Sequence, residues 1–208
     1  MYPSTVISST FLFFVVAVVV ISLLSSSPPS VTAFSMNNPE IIRRVLKDTK
    51  TIALIGASIK SNRPSNYVMK YLLDNGYNVI PINPGLKEGT TIHGQKVYNT
   101  LSSIPACTNI DMVDIFRKSE AVPSIVDEIL LMNNGNDNDV ISDEDDDEDN
   151  KHNNKYNKHN IKSIWMQIGV INEDAALKAK KSGLDVIMNA CPKIEIPKLN
   201  INNVRSEF

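Results

Sequence analysis

A single glycine turn early in the chain combines the residue types that bind phosphate groups. Gly56-Ala57-Ser58 follows an apolar, β-branched run, and Pro64 and Ser65 open a helix shortly afterwards. A strand that meets a helix through such a turn presents free backbone N–H groups and the positive end of the helix dipole to an anion. Lys60 and Arg63 add positive charge, so the segment predicts a phosphate or pyrophosphate site.

Two familiar phosphate-binding motifs are absent from this turn. The dinucleotide fingerprint G-x-G-x-x-G needs two glycines beyond Gly56, and no G-x-x-x-x-G-K-[ST] motif occurs. These absences argue against an ordinary NAD enzyme and against a P-loop NTPase. A glycine turn that shapes the chain without binding a ligand is an equal alternative at this point.

Residues that could contact a ligand follow the other predicted strands at the point where each strand ends. Ligands of open α/β sheets bind outside the carboxyl ends of the strands, so these residues are expected on the edge that holds Gly56. For each of them alone a role in a turn or a cap is the more common one, and Arg117 could form a surface ion pair, but their convergence on one edge favours a ligand site. The residues concerned are Asn83, Pro84, Phe116, Arg117, Gln167, Gly169 and Cys191.

Strand and helix patterns alternate from residue 50 onward, which is typical of a parallel sheet covered on both faces. Helices are predicted to begin at Pro39, near Pro64, at Ala121 and after Asn172, with a helical turn at 101–104. The pattern indicates an α/β fold: a doubly wound, mostly parallel, Rossmann-like sheet in a single domain. The predicted strands are 51–57, 78–83, 95–98, 111–116, 161–167 and 185–188.

Composition limits the partners and the metal chemistry. The 208 residues carry a net charge of −2, which gives no footprint for nucleic acid. Residues 133–160 are acidic and rich in Asn with little apolar content, which predicts a disordered insertion and leaves the remainder slightly positive. Cys107 and Cys191 form no disulfide framework, and the three histidines lack metal-ligand spacing with them, so no metal site is expected.

The first 33 residues have the pattern of a signal peptide. An apolar stretch from Phe11 to Leu24 precedes a Ser/Pro break and a small-residue site at Ala33, and cleavage there would leave no stable membrane span. An uncleaved anchor is the alternative. Val31-Thr-Ala-Phe34 also resembles the Ala-Phe motif of bipartite plastid presequences in diatoms and related algae. Residues 34–37 would then be a short presequence remnant, whereas translation from Met36 would give a cytosolic product.

Several motifs, in the right order, resemble the CoA-binding domain family. These are small, single-domain Rossmann-like proteins related to the N-terminal domain of the succinyl-CoA synthetase α subunit. The resemblance covers residues 38–132 and 161–200 and leaves 201–208 as a tail. Asn189 and Ala190 stand where the family commonly has Asp-Arg. The matching stretches are 55–58 with 63–65, 76–84, 113–120, 165–169 and 186–195.

This resemblance implies that coenzyme A, or a short acyl-CoA, is the ligand, in a protein without an evident catalytic constellation. The pyrophosphate would lie on the turn at 56–58 with Arg63 and Ser65, and the adenosine near Asn83. Phe116 would offer an apolar surface to the base or to the pantetheine arm. The ligand-binding residues expected on this basis are Gly56, Ala57, Ser58, Lys60, Arg63, Pro64, Ser65, Asn83, Pro84, Phe116, Arg117, Gln167, Gly169 and Cys191.

Other readings of the sequence stay open. An enzyme of the same fold could use NAD(P) or acyl-CoA, although Asn83 stands where an NAD enzyme has an acid for the ribose. A regulatory module could bind CoA together with a protein partner, or form a homodimer. Cys191 could pack as a small buried hydrophobe, or form a mixed disulfide with the thiol of CoA if Lys193 favours its thiolate.

Overall fold

The computed structural model describes residues 37–87, 89–134 and 159–201. The predicted signal peptide and residues 135–158 of the predicted insertion lie outside these described residues. Among the described residues, no helix is both long enough and apolar enough to span a bilayer.

The described residues form seven strands, and five of these make up one parallel sheet. They are β1 (Thr51–Ile55), β2 (Asn78–Ile82), β3 (Thr91–Ile92), β4 (Gln95–Lys96), β5 (Met112–Ile115), β6 (Ser163–Met166) and β7 (Asp185–Ile187). The sheet order is β2-β1-β5-β6-β7, and β3 pairs with β4 in a separate antiparallel hairpin. The strand order reverses between β1 and β5, which is where ligands bind in doubly wound sheets.

Five α-helices in the described part of the chain cover the two faces of the sheet. They are α1 (Pro39–Asp48), α2 (Pro64–Asp74), α3 (Val122–Asn134), α4 (Glu173–Lys181) and α5 (Pro192–Lys198). Side chains of a strand alternate between faces, so Ala53 and Ile55 pack in one apolar cluster and Ile52 and Leu54 in another. The first cluster includes α3 and α4, and the second includes α1, α2 and α5. The predicted doubly wound Rossmann-like fold is therefore confirmed.

Local signals account for the helix starts. The Asn38 side chain accepts a hydrogen bond from the Glu40 N–H at 2.8 Å, with Pro39 at the first helical position of α1. Asn172 caps α4 in the same way, with the Ala175 N–H as the donor at 3.0 Å. Both capped starts are as predicted.

Three local predictions differ from the structure. The strand predicted at 95–98 does not join the main sheet along its length: residues 95–96 belong to the β3–β4 hairpin, and only Tyr98 bridges to Ile82. Residues 101–104 form turns rather than a helical turn. Helix α5 was not predicted, because its seven residues include Pro197 as well as Pro192.

The folded domain extends slightly beyond the predicted bounds. Asn37 exchanges two hydrogen bonds with the backbone of Met188, at 2.8 and 3.1 Å. The Asn133 side chain does the same with Ile161, at 2.8 and 2.9 Å, and His159 is buried. The outermost residues assigned to the insertion are therefore packed parts of the domain.

Candidate functional site

A cleft of about 1050 Å³ opens at the carboxyl edge of the sheet. It is lined by the segments that follow β1, β5, β6 and β7 and by the start of α2. Every ligand-binding residue predicted from the sequence lines this cleft except Pro84, which is exposed outside it. The topology brings these residues together because all parallel strands end at the same edge.

Gly56 is required at the point where the loops after β1 and β5 approach each other. Its φ of +90° lies in a region that L side chains rarely adopt. A Cβ atom at this position would lie 2.6 Å from the Phe116 carbonyl oxygen and 3.1 Å from Cδ of Arg117. Glycine at this position therefore allows both the positive φ of the turn and the close approach of the Phe116 carbonyl at the switch point.

The backbone donors of the turn are not those expected from the sequence. The N–H groups of Gly56 and Ala57 both donate to the Ile82 carbonyl, at 2.9 and 3.2 Å. In the described part of the chain, the N–H groups of Ser58, Ile59 and Ser65 have no acceptor. The donors left for an anion thus lie one or two residues later and in the first turn of α2.

Two amide side chains donate hydrogen bonds to carbonyl groups of the turn. Asn83 Nδ2 donates to the Ala57 carbonyl at 2.7 Å, and Asn66 Nδ2 donates to the Ser58 carbonyl at 2.7 Å. His93 Nε2 lies 3.1 Å from Asn66 Oδ1, behind this contact. Asn83 therefore supports the loop through this hydrogen bond, and it also lines the cleft. Asn66 and His93 were missed, because their pairing depends on residues distant in sequence.

Cationic side chains line the cleft without protein partners. Lys60, Arg63 and Arg117 are exposed, and within the described residues their side chains form no ion pair or hydrogen bond. Arg63 also occupies the N-cap of α2 without a side-chain capping bond, so the helix end is open. This uncompensated positive charge favours an anionic ligand.

A buried acid lies below the floor of the cleft. Asp114 is fully buried in β5, and its two carboxylate oxygens accept bonds from Gln167 Nε2 at 2.9 and 3.1 Å. Burial raises the pKa of Asp114 to about 7, against the lowering effect of the Gln167 bond. The sequence signal was an acid inside an apolar strand, but its partner was not apparent. No three His, Cys, Asp or Glu side chains of the described residues are placed to hold a metal ion.

Cys191 lines the cleft but is only 8% exposed. Burial raises the pKa of its thiol, and this effect outweighs the lowering by Lys193. The Lys193 ammonium lies 4.9 Å from the centre of the Tyr67 ring. The thiol form therefore dominates at neutral pH, which favours the packing role over disulfide exchange with the ligand.

These features define a single-domain, doubly wound α/β protein with a positively charged cleft at its topological switch point. The chain belongs to the CoA-binding domain family, which it matches over residues 50–137 and 150–197. The family predicted from the sequence motifs is thus confirmed. Membership of this family supports a CoA-binding role.

Known proteins share both the sequence and the fold. The chain is 30% identical to YneT, an uncharacterised protein of Bacillus subtilis, over 161 residues, which is 76% of this chain and 96% of YneT. A hypothetical protein of Pyrococcus horikoshii has a TM-score of 0.59 at 32% identity, covering 78% of this chain and 92% of its own. A protein of Thermus thermophilus has a TM-score of 0.60 at 25% identity, covering 78% and 98%.

Proposed function

We propose that this protein binds coenzyme A in the carboxyl-edge cleft, with the pyrophosphate at the N-terminus of α2. The observation that carries the proposal is that unpaired backbone donors and unpaired cations, judged among the described residues, line one cleft of a CoA-binding domain. Ser58 is half-buried and Ser65 is buried, and polar groups in such positions normally find partners within the protein, so their unpaired N–H groups point to a ligand.

The phosphate groups would accept hydrogen bonds from the N–H groups of Ser58, Ile59 and Ser65. Arg63 would add a bidentate contact, because its planar guanidinium matches two phosphate oxygens. Phe116 offers an apolar surface beside these donors, suited to the adenine or to the start of the pantetheine arm. The arm would then run along the strand ends towards Gln167.

The ligand is tested by differential scanning fluorimetry and titration calorimetry with CoA, acetyl-CoA, NAD, NADP and FAD. We expect CoA and acetyl-CoA to raise the melting temperature, since a ligand that binds only the folded state stabilises it. A response to NAD(P) instead of CoA would support the alternative of a nicotinamide-dependent enzyme. Turnover of acetyl-CoA would support an acyl-CoA-dependent enzyme.

The phosphate clamp is tested by Arg63→Ala. Loss of a charge-assisted contact costs about 1.5–3 kcal/mol, so we expect CoA affinity to fall by more than about tenfold. Lys181→Ala, at the exposed end of α4, is the matched control for loss of one positive charge and should leave affinity unchanged. Unchanged affinity in Arg63→Ala would remove this residue from the site.

For localisation, we propose that the N-terminal segment delivers the protein into the secretory route. It would deliver the protein onward to a plastid if the Ala-Phe motif at Phe34 acts as an import signal. A C-terminal fluorescent fusion of the full chain, imaged in a diatom, tests this. Phe34→Ala should retain the fusion in the secretory system. A cytosolic signal from the intact chain would favour translation from Met36.

A further inference from the structure

We infer that the cleft takes an apolar acyl thioester of CoA in preference to free CoA. The acyl chain would lie on an isoleucine shelf, formed by Ile168 and Ile194 at the end of the cleft beside β6 and β7. This inference rests on the proposed binding of CoA and specifies the ligand class of the same site.

The shelf is an exposed apolar surface inside a binding cleft. Ile168 is 60% exposed and Ile194 is 52% exposed, and both line the cleft. The same cleft is also lined by two buried side chains, Val170 and Cys191, which are 6% and 8% exposed. Large apolar side chains grouped at a cleft mark a surface that an apolar group covers.

The reach of the ligand matches the position of the shelf. The phosphate donors follow β1, and β5 and β6 succeed it in the sheet, so Ile168 lies two strand spacings away, about 10 Å. Ile194 belongs to α5, which packs near α2 through the Lys193–Tyr67 contact, and it lines the same cleft. The pantetheine arm has the reach of about four residues of extended chain, roughly 14 Å. With its pyrophosphate at α2, CoA would therefore bring its sulfur to the level of Ile168, in the cleft that Ile194 also lines.

Free CoA would leave most of this surface uncovered, because its chain ends at a thiol. An acyl chain continues past the sulfur and would bury the two isoleucines. The neighbouring charge does not oppose this, since the Lys193 ammonium is engaged over the Tyr67 ring at 4.9 Å. Complete burial of a methylene group raises affinity by about fourfold, so even a half-covered chain should give a measurable preference.

The test is calorimetric titration of the full domain with CoA, acetyl-CoA, butyryl-CoA and octanoyl-CoA. We expect affinity to rise along this series, to at least about tenfold tighter binding of octanoyl-CoA than of CoA. In the double variant Ile168→Ser/Ile194→Ser, CoA should bind as in the wild type and the rise should disappear. The matched control is Leu131→Ser/Leu177→Ser, which alters two leucines that are 60% and 49% exposed outside the cleft and should keep the rise.

The outcomes separate this inference from the proposed function. Equal affinity for CoA and octanoyl-CoA would overturn the inference while leaving CoA binding intact. A rise that persists in the shelf variant would place the acyl chain elsewhere and would also overturn it. Failure of every CoA compound to bind would contradict the proposed function itself. Sedimentation velocity tests whether the shelf instead forms a contact between two copies of the chain. If the wild type is a dimer, the shelf variant is a monomer and no acyl preference is found, the shelf serves self-association and the inference is overturned.

Discussion

The polar groups at the two edges of the sheet differ in whether they have partners within the protein. At the amino edge, the Asp111 carboxylate accepts bonds from the N–H groups of Lys50 and Thr51 at 2.9 and 3.0 Å. Arg44 and Asp185 pair there at 2.9 Å. At the carboxyl edge, backbone donors and cationic side chains of the described residues are left without protein partners.

The presence of a cavity does not by itself distinguish these two edges. The amino edge also has a cavity, of about 380 Å³, lined by Arg44, Asp111, Lys162 and Asp185. These four charged groups are engaged with one another, as in the 3.8 Å contact between Lys162 and Asp111, and of the described charged residues that line this cavity only the exposed Asp48 has no ion pair. Satisfied polar groups stabilise the fold, whereas unsatisfied ones are available to a ligand. Substitutions at the two edges should therefore separate stability from binding.

The largest effect is expected at the amino edge, for Asp111→Ala. The side chain is buried and also accepts a bond from Asn109 Nδ2 at 2.9 Å, so the substitution removes all three of these hydrogen bonds. We expect the free energy of unfolding in urea to fall by about 3 kcal/mol, with the CoA dissociation constant of the folded protein unchanged. Asp74→Ala removes an exposed carboxylate that pairs with Lys70 at 2.8 Å, and should cost less than about 1 kcal/mol. Similar losses in both variants would contradict the contrast between the edges.

Gly56→Ala should affect both stability and binding. The positive φ and the 2.6 Å approach to the Phe116 carbonyl together predict a loss of about 2–3 kcal/mol and weaker CoA binding. Gly183→Ala isolates the backbone strain, because its φ is +87° and no atom lies within 4 Å of the added Cβ. That control should lose only about 1 kcal/mol and retain affinity. Equal losses would show that the contact with Phe116 relaxes without cost.

Asp114 gives the carboxyl edge a pH-dependent stability. Its pKa is raised to about 7 in the folded state, above the ordinary 3.8, so the folded protein holds the proton more tightly than the unfolded chain. The stability from this proton is complete below about pH 4 and is lost as the pH rises through about 7. Between pH 6 and pH 8 the wild type should lose about 1.5 kcal/mol more than Asp114→Asn.

Urea denaturation of both proteins at half-unit pH steps measures this difference. Burial lowers the pKa of His159, whose contribution is lost as the pH falls, but it is common to both proteins and cancels. Parallel pH profiles for the two proteins would mean that Asp114 is ionised throughout this range.

The sequence predicted the fold and the edge that holds the cleft, because these follow from alternating patterns and from general rules of parallel sheets. It did not predict which N–H groups stay free, since that depends on the Ile82 carbonyl, which is distant in sequence. The brace from Asn66 to the Ser58 carbonyl and the partner of Asp114 were missed for the same reason. Composition and spacing report a residue's type and neighbours along the chain, but not the long-range partner that uses up its hydrogen bonds.

The smallest effect is expected from replacing residues 135–158 with a six-residue Gly/Ser linker. Both ends of this segment leave the domain close together, since the His159 N–H donates to the Met132 carbonyl at 3.2 Å. Asn133 and Ile161 line the amino-edge cavity, so the junction lies across the sheet from the proposed ligand site.

We expect this replacement to leave CoA affinity unchanged and to raise the free energy of unfolding by up to about 1 kcal/mol, because a shorter loop costs less entropy to close. A deletion of 133–160 is the informative comparison. It also removes the two Asn133 bonds to Ile161 and the buried His159, so it should cost about 2 kcal/mol. Urea denaturation measures both variants. If the shorter deletion is the more destabilising of the two, the acidic segment contributes to the stability of the folded domain.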